Sequence, residues 1–273
     1  MIKITEITSK RETQIPVYIV EPSDLKEKMP LMVMNHGFMA EKTEDLRFVE
    51  VAIELAKKGI ISVMGDFPGC GDSKEPFIEY HPANCLDDIT SLVDYMLNNY
   101  PIDTARMGML GYSMGGYFTT IYQEVDPRFK NIALWAPAIG CEESMLEMFG
   151  GGLSEEERNE TLKTQGYVRY LNPFDGKTLT ISAGFYRSLE ERKTLRILSE
   201  FDGNILFVHG NQDATVSIEE SRKAFETATK VESKEFLIIK GADHGFGCWE
   251  NEPAYSEKLV KETTDFLLKN LLA

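Results

Sequence analysis

The chain has 273 residues, a length that fits one α/β domain carrying an insertion. Lys and Arg total 29 and Asp and Glu total 44, so the formal net charge is −15. Such an acidic chain repels phosphate backbones and anionic lipid, which argues against nucleic acid as a partner.

The N-terminal residues and the cysteines bear on the cellular compartment. The N-terminus alternates isoleucine with polar residues and contains no apolar signal-peptide core, which predicts a cytoplasmic protein. No apolar run approaches the roughly 18 residues of a membrane span, so no membrane partner is expected. The cysteines are scattered without a C-x-x-C pair and are interpreted as free thiols: Cys70, Cys85, Cys141 and Cys248.

Short apolar runs predict strands along the whole chain. Two runs near the N-terminus, Ile2–Ile7 and Ile15–Val20, are typical of edge strands. The later runs lack polar alternation, which suits strands buried on both faces of a parallel sheet: Leu31–Asn35, Ile60–Met64, Met107–Leu110, Ile132–Trp135, Ile205–Val208 and Phe236–Ile239.

Between these runs, apolar residues at helical spacing predict helices: Leu46–Ala56, Leu86–Met96, Met114–Val125, Val216–Lys230 and Leu259–Leu267. The first of them has an apolar stripe of Leu46, Val49, Ile53 and Ala56. It is expected to carry Glu44 and Asp45 in its first turn and to end before Gly59. This alternation of strand and helix predicts an α/β fold with a mostly parallel, doubly wound sheet and right-handed crossovers.

One interval breaks the alternation. Residues 137–203, 67 in all, separate two predicted strands and exceed what an ordinary loop needs. They contain helical patterns around Ser144–Phe149 and Tyr186–Ser199. We therefore predict a core formed by residues 1–136 and 204–273, with 137–203 as a helical cap insertion. The alternative is a longer crossover with added helices.

The segment Gly111-Tyr112-Ser113-Met114-Gly115 fits the pattern G-x-S-x-G. An apolar run precedes it and an amphipathic helix follows at once, which is the setting of a nucleophile elbow. The sharp turn requires very small residues on either side of Ser113, and Gly111 and Gly115 satisfy that requirement. Ser113 is therefore the candidate nucleophile; the alternative is a glycine-rich turn with a passive serine.

A serine nucleophile needs a base and an acid that orients the base. His244 follows the last predicted strand, and Asp213 follows the strand before it. The chain order Ser113, Asp213, His244 is the order of α/β-hydrolases. Asp243 is the rival acid, although neighbouring side chains usually diverge. His209, at the end of a strand, is interpreted as a packed or loop-ordering residue.

The loop His36-Gly37-Phe38 follows the predicted strand Leu31–Asn35. In this architecture that loop and the residue after the nucleophile each supply one backbone N–H to the oxyanion. Phe38 and Met114 are the predicted donors, and plain turn chemistry is the alternative interpretation of the His-Gly pair.

Patterns for cofactors and metals are incomplete. Gly69-x-Gly71 lacks the third glycine and the helix of a dinucleotide loop, and no Walker A pattern occurs. Two pairs have metal-like spacing without a second half nearby: His81 with Cys85, and His244 with Cys248. No cofactor and no metal are expected.

Five motifs occur in order along the chain: HGFM, DFPGCGDS, GYSMGG, HGNQDATV and GADHGF. Together they resemble the α/β-hydrolase superfamily, and within it the small intracellular cinnamoyl and feruloyl esterases. The resemblance implies a serine carboxylesterase that acts on small esters, including hydroxycinnamates, without a cofactor. It also implies a cap that shapes the acyl pocket. Aromatic residues of the cap are candidates for pocket lining, with local core as the alternative: Tyr167, Tyr170, Phe174, Phe185 and Tyr186.

Other functions remain open at this point. A serine peptidase or aminopeptidase on the same fold is the nearest rival, although such enzymes often carry a large extra domain. An acyltransferase or thioesterase would share the acyl-enzyme, and a non-catalytic binding protein would keep only the fold. Exposed apolar cap surface would support a homodimer.

Overall fold

The computed structural model describes residues 1–173, 175–249 and 252–273. The described residues form ten strands, numbered in chain order: β1 Ile2–Thr8, β2 Gln14–Val20, β3 Met29–Asn35, β4 Ile61–Gly65, β5 Ile102–Tyr112, β6 Phe129–Trp135, β7 Tyr167–Leu171, β8 Thr178–Ser182, β9 Asn204–Gly210 and β10 Ser233–Ile239. They also form nine α-helices: α1 Arg47–Ala56, α2 Pro82–Asn99, α3 Met114–Tyr122, α4 Glu142–Met148, α5 Glu155–Gln165, α6 Ala183–Glu191, α7 Thr194–Glu200, α8 Ile218–Thr227 and α9 Pro253–Leu271.

The main sheet has eight strands in the order β1-β2-β4-β3-β5-β6-β9-β10. Six of these strands pair in parallel: β4, β3, β5, β6, β9 and β10. Strands β1 and β2 add an antiparallel edge next to β4. Each of the eight predicted runs overlaps one of these strands. The predicted mostly parallel sheet is therefore confirmed.

Helices cover both faces of the sheet. Along β3, Leu31 and Val33 belong to the hydrophobic core that includes residues of α2, α3 and α8, whereas Met32 and Met34 belong to a second core that includes residues of α1 and α9. Because both faces of the strand are buried, its sequence is apolar throughout instead of alternating. No helix in the part of the chain that the structure describes is long and apolar enough to cross a membrane.

The start of α1 differs from the expectation. Val49 is buried as predicted, but Leu46 is 62% exposed and Ile53 is 37% exposed, so the predicted stripe is only partly right. Glu44, Asp45 and Leu46 have φ angles of 48°, 53° and 69°, and they form a left-handed turn before the helix instead of its first turn. Apolar spacing alone does not reveal such a turn, which resets the helix start. Gly59 does follow the helix at a φ of 87°.

Residues 137–203 contain α4, α5, the β7–β8 hairpin, α6 and α7. The predicted helix Tyr186–Ser199 is two helices, α6 and α7. Neither the hairpin nor α5 was predicted. Helix α5 buries only Arg158, so it has no apolar periodicity to detect. A capping box between Ser154 and Glu157 begins it instead.

The four cysteines are free thiols, as predicted. Cys70 and Cys85 are buried, whereas Cys141 and Cys248 are half-buried.

Helix α3 begins in close contact with the end of β3. A Cβ atom at Gly115 would lie 1.8 Å from the Asn35 carbonyl oxygen. Glycine is therefore required where the helix meets the strand.

We expect Gly115→Ala to lower the free energy of unfolding by about 3 kcal/mol or more, because the added methyl group collides with backbone that cannot yield. Gly152→Ala is the control: Gly152 has a φ of 77°, but a Cβ there meets nothing within 4 Å. This control should cost only about 1 kcal/mol of backbone strain. Urea denaturation compares the two variants, and equal losses would contradict the prediction.

Candidate active site

Ser113 lies in the sharp turn between β5 and α3. Its backbone has φ 52° and ψ −117°, a conformation that residues other than glycine rarely adopt. A Cβ atom at Gly111 would lie 2.4 Å from the Gly115 carbonyl oxygen, so the turn excludes larger residues at that position. Ser113 immediately precedes Met114, the first residue of α3.

The structure brings the three residues of the predicted triad together. The Ser113 hydroxyl donates to His244 Nε2 at 3.0 Å, and His244 Nδ1 donates to Asp213 Oδ2 at 2.6 Å. Because the Asp213 carboxylate has no proton to donate, the hydrogen of the neutral His244 ring must be on Nδ1. The rival acid Asp243 accepts from the Gly247 N–H at 3.1 Å and so turns into its own loop.

The Asp213 side chain is fully buried and its two oxygens are satisfied. Oδ1 accepts from the N–H groups of Thr215 and Val216 at 2.8 and 2.9 Å. Burial by itself raises the pKa of Asp213, but hydrogen bonds from His209 and His244 outweigh burial and hold that pKa below its ordinary value. Asp213 therefore stays ionised beside the imidazole that it orients.

His209 contacts Asp213 directly. Its Nε2 lies 3.0 Å from Asp213 Oδ2 and 3.0 Å from the Val216 carbonyl oxygen, and its Nδ1 lies 2.8 Å from Ser221 Oγ. Two acceptors on Nε2 require the hydrogen to be there. The sequence predicted that His209 is a packed or loop-ordering residue. In the structure it also contacts the Asp213 carboxylate. The four-residue spacing between His209 and Asp213 was the available signal.

The loop after β3 is held by His36. Its Nδ1 donates to the Gly37 carbonyl at 2.8 Å, and its Nε2 accepts from the Phe67 N–H at 3.0 Å. Burial lowers the pKa of His36, which favours this neutral ring. The Gly37 carbonyl and the Phe38 N–H belong to the same trans peptide unit and point in opposite directions. The hydrogen bond to the carbonyl therefore also fixes the direction of the Phe38 N–H.

The predicted oxyanion donors, Phe38 and Met114, both line the cavity at Ser113. Within residues 1–173, 175–249 and 252–273, neither N–H donates a hydrogen bond. Two free donors beside a serine hydroxyl suit an oxygen that gains negative charge.

Glu44 and Arg47 belong to the site but were missed in the sequence. Glu44 is 3% exposed, and its Oε1 accepts from the Gly37 N–H at 2.5 Å. Burial raises the pKa of Glu44 to about 8; Asp45 and Glu41 act in the same direction, against the Gly37 N–H and Arg47. No motif marks Glu44, because its approach to Gly37 depends on the left-handed turn.

A cavity of about 1010 Å³ opens over Ser113 and His244. Its apolar lining comes largely from aromatic and methionine side chains: Phe38, Met145, Met148, Phe149, Tyr170 and Trp249. In the described residues, no cluster of three or more His, Cys, Asp or Glu residues has the geometry to hold a metal.

The candidate pocket aromatics have different positions. Tyr170 lines the cavity. Phe185 and Tyr186 are buried in the core instead. The Phe185 ring packs against Phe149 with 5.2 Å between the ring centres, and the Tyr186 hydroxyl donates to the Phe149 carbonyl oxygen at 2.6 Å. Tyr167 is half-buried and does not line the cavity, and Phe174 lies outside the described residues.

We expect the stability difference between Glu44→Gln and the wild type to depend on pH. With a folded pKa of about 8 and an ordinary value of 4.5, Glu44 holds a proton in the folded chain that the unfolded chain has lost. Raising the pH from 5 to 8 therefore destabilises the wild type, by up to about 1.4 kcal/mol per pH unit, while the Gln variant has no such proton. Urea denaturation across this range measures the difference; a constant difference would mean that Glu44 is ionised throughout.

Comparisons with known proteins agree with this geometry. The model of the prolyl oligopeptidase family, Peptidase_S9, matches residues 47–273. An Escherichia coli protein described as an uncharacterized 31.7 kDa protein in the traX-finO intergenic region is 25% identical over 79% of this chain and 73% of its own length. "Putative esterase YitV" of Bacillus subtilis is 23% identical over 88% of this chain and 92% of its own.

A solved structure of Est1E from Butyrivibrio proteoclasticus with ferulic acid bound has a TM-score of 0.80 at 20% identity. The match covers 98% of this chain and 100% of that one. This likeness establishes the fold, and the family model spans most of the sequence. The chain therefore belongs to the prolyl oligopeptidase family and is a serine hydrolase with the α/β-hydrolase fold.

Proposed function

We propose that the chain is a serine carboxylesterase that hydrolyses small carboxylic esters through Ser113, His244 and Asp213. The observation that carries this proposal is the continuous hydrogen-bond chain from the Ser113 hydroxyl through His244 to the buried Asp213. Ser113 and His244 line an apolar cavity large enough for a small ester.

The geometry supports a two-step reaction. As Ser113 Oγ attacks the ester carbonyl carbon, His244 Nε2 takes its proton, and the carbonyl oxygen gains the charge. The N–H groups of Phe38 and Met114 stabilise that oxyanion. His244 then returns the proton to the leaving alcohol oxygen, and an acyl-enzyme remains on Ser113. Water, deprotonated by His244, releases the acid and restores the hydroxyl.

An ester is the substrate class that the relatives favour. YitV is an esterase by name, and a matching region of 124 residues lies in a Neocallimastix patriciarum protein named as an acetylxylan esterase and xylanase. The match spans only 45% of this chain and 18% of that second protein, so it supports the proposal less than YitV does. The family name favours a peptidase as the second candidate.

The acyl group that fits the cavity best is a flat aromatic one, such as a hydroxycinnamoyl group. Phe38, Phe149, Tyr170 and Trp249 line the cavity with rings, and Est1E, with a similar fold, binds ferulic acid. Phe149 and Tyr170 come from residues 137–203. We propose that this segment is a cap on a core of residues 1–136 and 204–273, and that it shapes the acyl pocket. The homodimer and the cytoplasmic location stay predictions.

We expect Ser113→Ala to lower kcat on 4-nitrophenyl butyrate by about 10⁴–10⁶-fold and Asp213→Asn by about 10⁴-fold, because the nucleophile or the imidazole tautomer is lost. Stopped-flow and steady-state assays measure kcat on the ester. Parallel assays with peptide 4-nitroanilides test whether the chain is a peptidase instead. Turnover of peptides but not esters, dependent on Ser113, would contradict the ester proposal. Persistent ester turnover in Ser113→Ala would contradict the triad.

The aromatic acyl pocket is tested by comparing methyl ferulate with acetyl, butyryl and octanoyl nitrophenyl esters. Tyr170→Leu should raise the KM for methyl ferulate about 10-fold and leave the acetyl ester within about 2-fold, since only the larger acyl group reaches the ring. Tyr167→Leu, on the same strand but away from the cavity, is the matched control. Equal effects of both variants, or no ferulate turnover in the wild type, would count against a hydroxycinnamoyl pocket.

A further inference from the structure

We infer that Glu44 and Arg47 are positioning residues that hold the oxyanion loop, residues 36–39, against the nucleophile and the base. This inference rests on the proposed function and adds residues that neither the motifs nor the triad include. Both side chains are buried, and they connect parts of the site that are distant in sequence.

Gly37 of the oxyanion loop lies close to both Glu44 and Ser113. A Cβ atom at Gly37 would be 3.3 Å from a Tyr112 ring carbon, 3.4 Å from Ser113 Cβ and 3.5 Å from Glu44 Oε1. The Gly37 N–H donates to that same oxygen. His36 holds the carbonyl of Gly37, and Glu44 holds its N–H, so the two bonds together set the orientation of the backbone that carries the Phe38 N–H.

Arg47 extends the contact to the base and to the nucleophile. Its Nε donates to the Glu44 carbonyl at 3.0 Å, and its Nη1 donates to the Gly245 carbonyl, next to His244, at 3.0 Å. The guanidinium lies 5.1 Å from the centre of the Tyr112 ring, directly before Ser113. Tyr112 in turn donates its hydroxyl hydrogen to the His244 carbonyl at 2.9 Å. One buried cation therefore contacts the segments of the base and the nucleophile directly, and it is connected to the oxyanion loop through Glu44.

The backbone at Glu44 is itself unusual. Three consecutive residues that are not glycine, Glu44 to Leu46, have left-handed φ angles. Such a run is disfavoured and persists only where surrounding contacts require it, which is common at functional sites. Here the run turns the Glu44 carboxyl back toward Gly37 while Arg47 begins α1.

The chemistry required of Glu44 is acceptance of one hydrogen bond. Either a carboxyl group or an amide oxygen meets that need, whereas a shorter or apolar side chain does not. Glu44→Gln should therefore keep the loop in position, and Glu44→Asp and Glu44→Ala should release it. A residue that served stability alone would not separate these variants in this way.

The test uses the full chain and measures the second-order rate at which a fluorophosphonate labels Ser113, because that reaction also develops charge on an oxygen in the oxyanion site. The inhibition constant of a trifluoromethyl ketone, whose adduct carries the oxyanion, is the second readout. For Glu44→Ala and Glu44→Asp we expect both readouts to worsen about 10- to 100-fold, with Glu44→Gln within about 3-fold of the wild type. Arg47→Met should worsen both about 10-fold or more.

Asp88→Ala is the matched control. Asp88 has a side chain only 2% exposed and pairs with Arg11 at 2.8 Å, on α2 and outside the cavity. Asp88→Ala should lower the melting temperature while leaving the labelling rate within about 2-fold of the wild-type rate. A Glu44→Ala variant that labels at the wild-type rate, or a Gln variant as slow as the Ala variant, would overturn the inference. So would equal slowing by Asp88→Ala.

The same experiment separates this inference from the proposed function. Labelling of Ser113 without turnover of any ester overturns the ester proposal, and the variant series still decides the role of Glu44. If Ser113 of the wild-type chain resists labelling, both proposals are wrong. If Glu44→Ala does not fold, Glu44→Asp supplies the comparison.

Discussion

The contact between the start of α3 and the end of β3 is the constraint on which the reactive edge of the sheet depends. The helix and the strand approach so closely that position 115 has no space for a Cβ atom. The same edge of the sheet brings Gly37 close to Ser113, so the loop that contains Phe38 lies near the start of α3, where Met114 is the first residue. The parallel order of β6, β9 and β10 then delivers the loops of Asp213 and His244 to the same edge.

Two carboxyl groups at this edge have opposite protonation behaviour, and their hydrogen-bond partners explain the difference. Asp213 receives two backbone N–H groups and two imidazoles, which together outweigh the cost of burying its charge. Glu44 receives one N–H and a guanidinium 3.5 Å away, so burial dominates. Asp213 therefore has more hydrogen-bond donors to stabilise its charge than Glu44 has, which favours ionisation of Asp213 and protonation of Glu44.

Much of the fold was predictable because its signals are local. Apart from β1, in which isoleucine alternates with polar residues, each strand of the main sheet contains an apolar run. The turn at Ser113 combines small residues with a strand before it and a helix after it. The order of Ser113, Asp213 and His244 along the chain was enough to nominate the three side chains that the structure brings together. Phe38 and Met114 followed from their positions beside these turns.

The rest depends on geometry that residue spacing does not encode. The left-handed turn at 44–46 shifts the phase of α1, and it turns Glu44 inward, although its sequence resembles an ordinary acidic helix start. Helix α5 contains one large apolar residue, Leu162, so no periodicity reveals it. Phe185, Tyr186 and Tyr170 are equally aromatic, and only tertiary packing decides that Tyr170 faces the cavity.

The cavity has a consequence for how such a chain can change. The side chains proposed for chemistry lie on short loops at the edge of the sheet, whereas Met145, Met148, Phe149 and Tyr170 come from the single stretch between β6 and β9. Substitutions in that stretch would remodel the walls without moving Ser113, His244 or Asp213. Selectivity can therefore drift independently of reactivity, and relatives with the same reactive loops can diverge in the molecules that they accept.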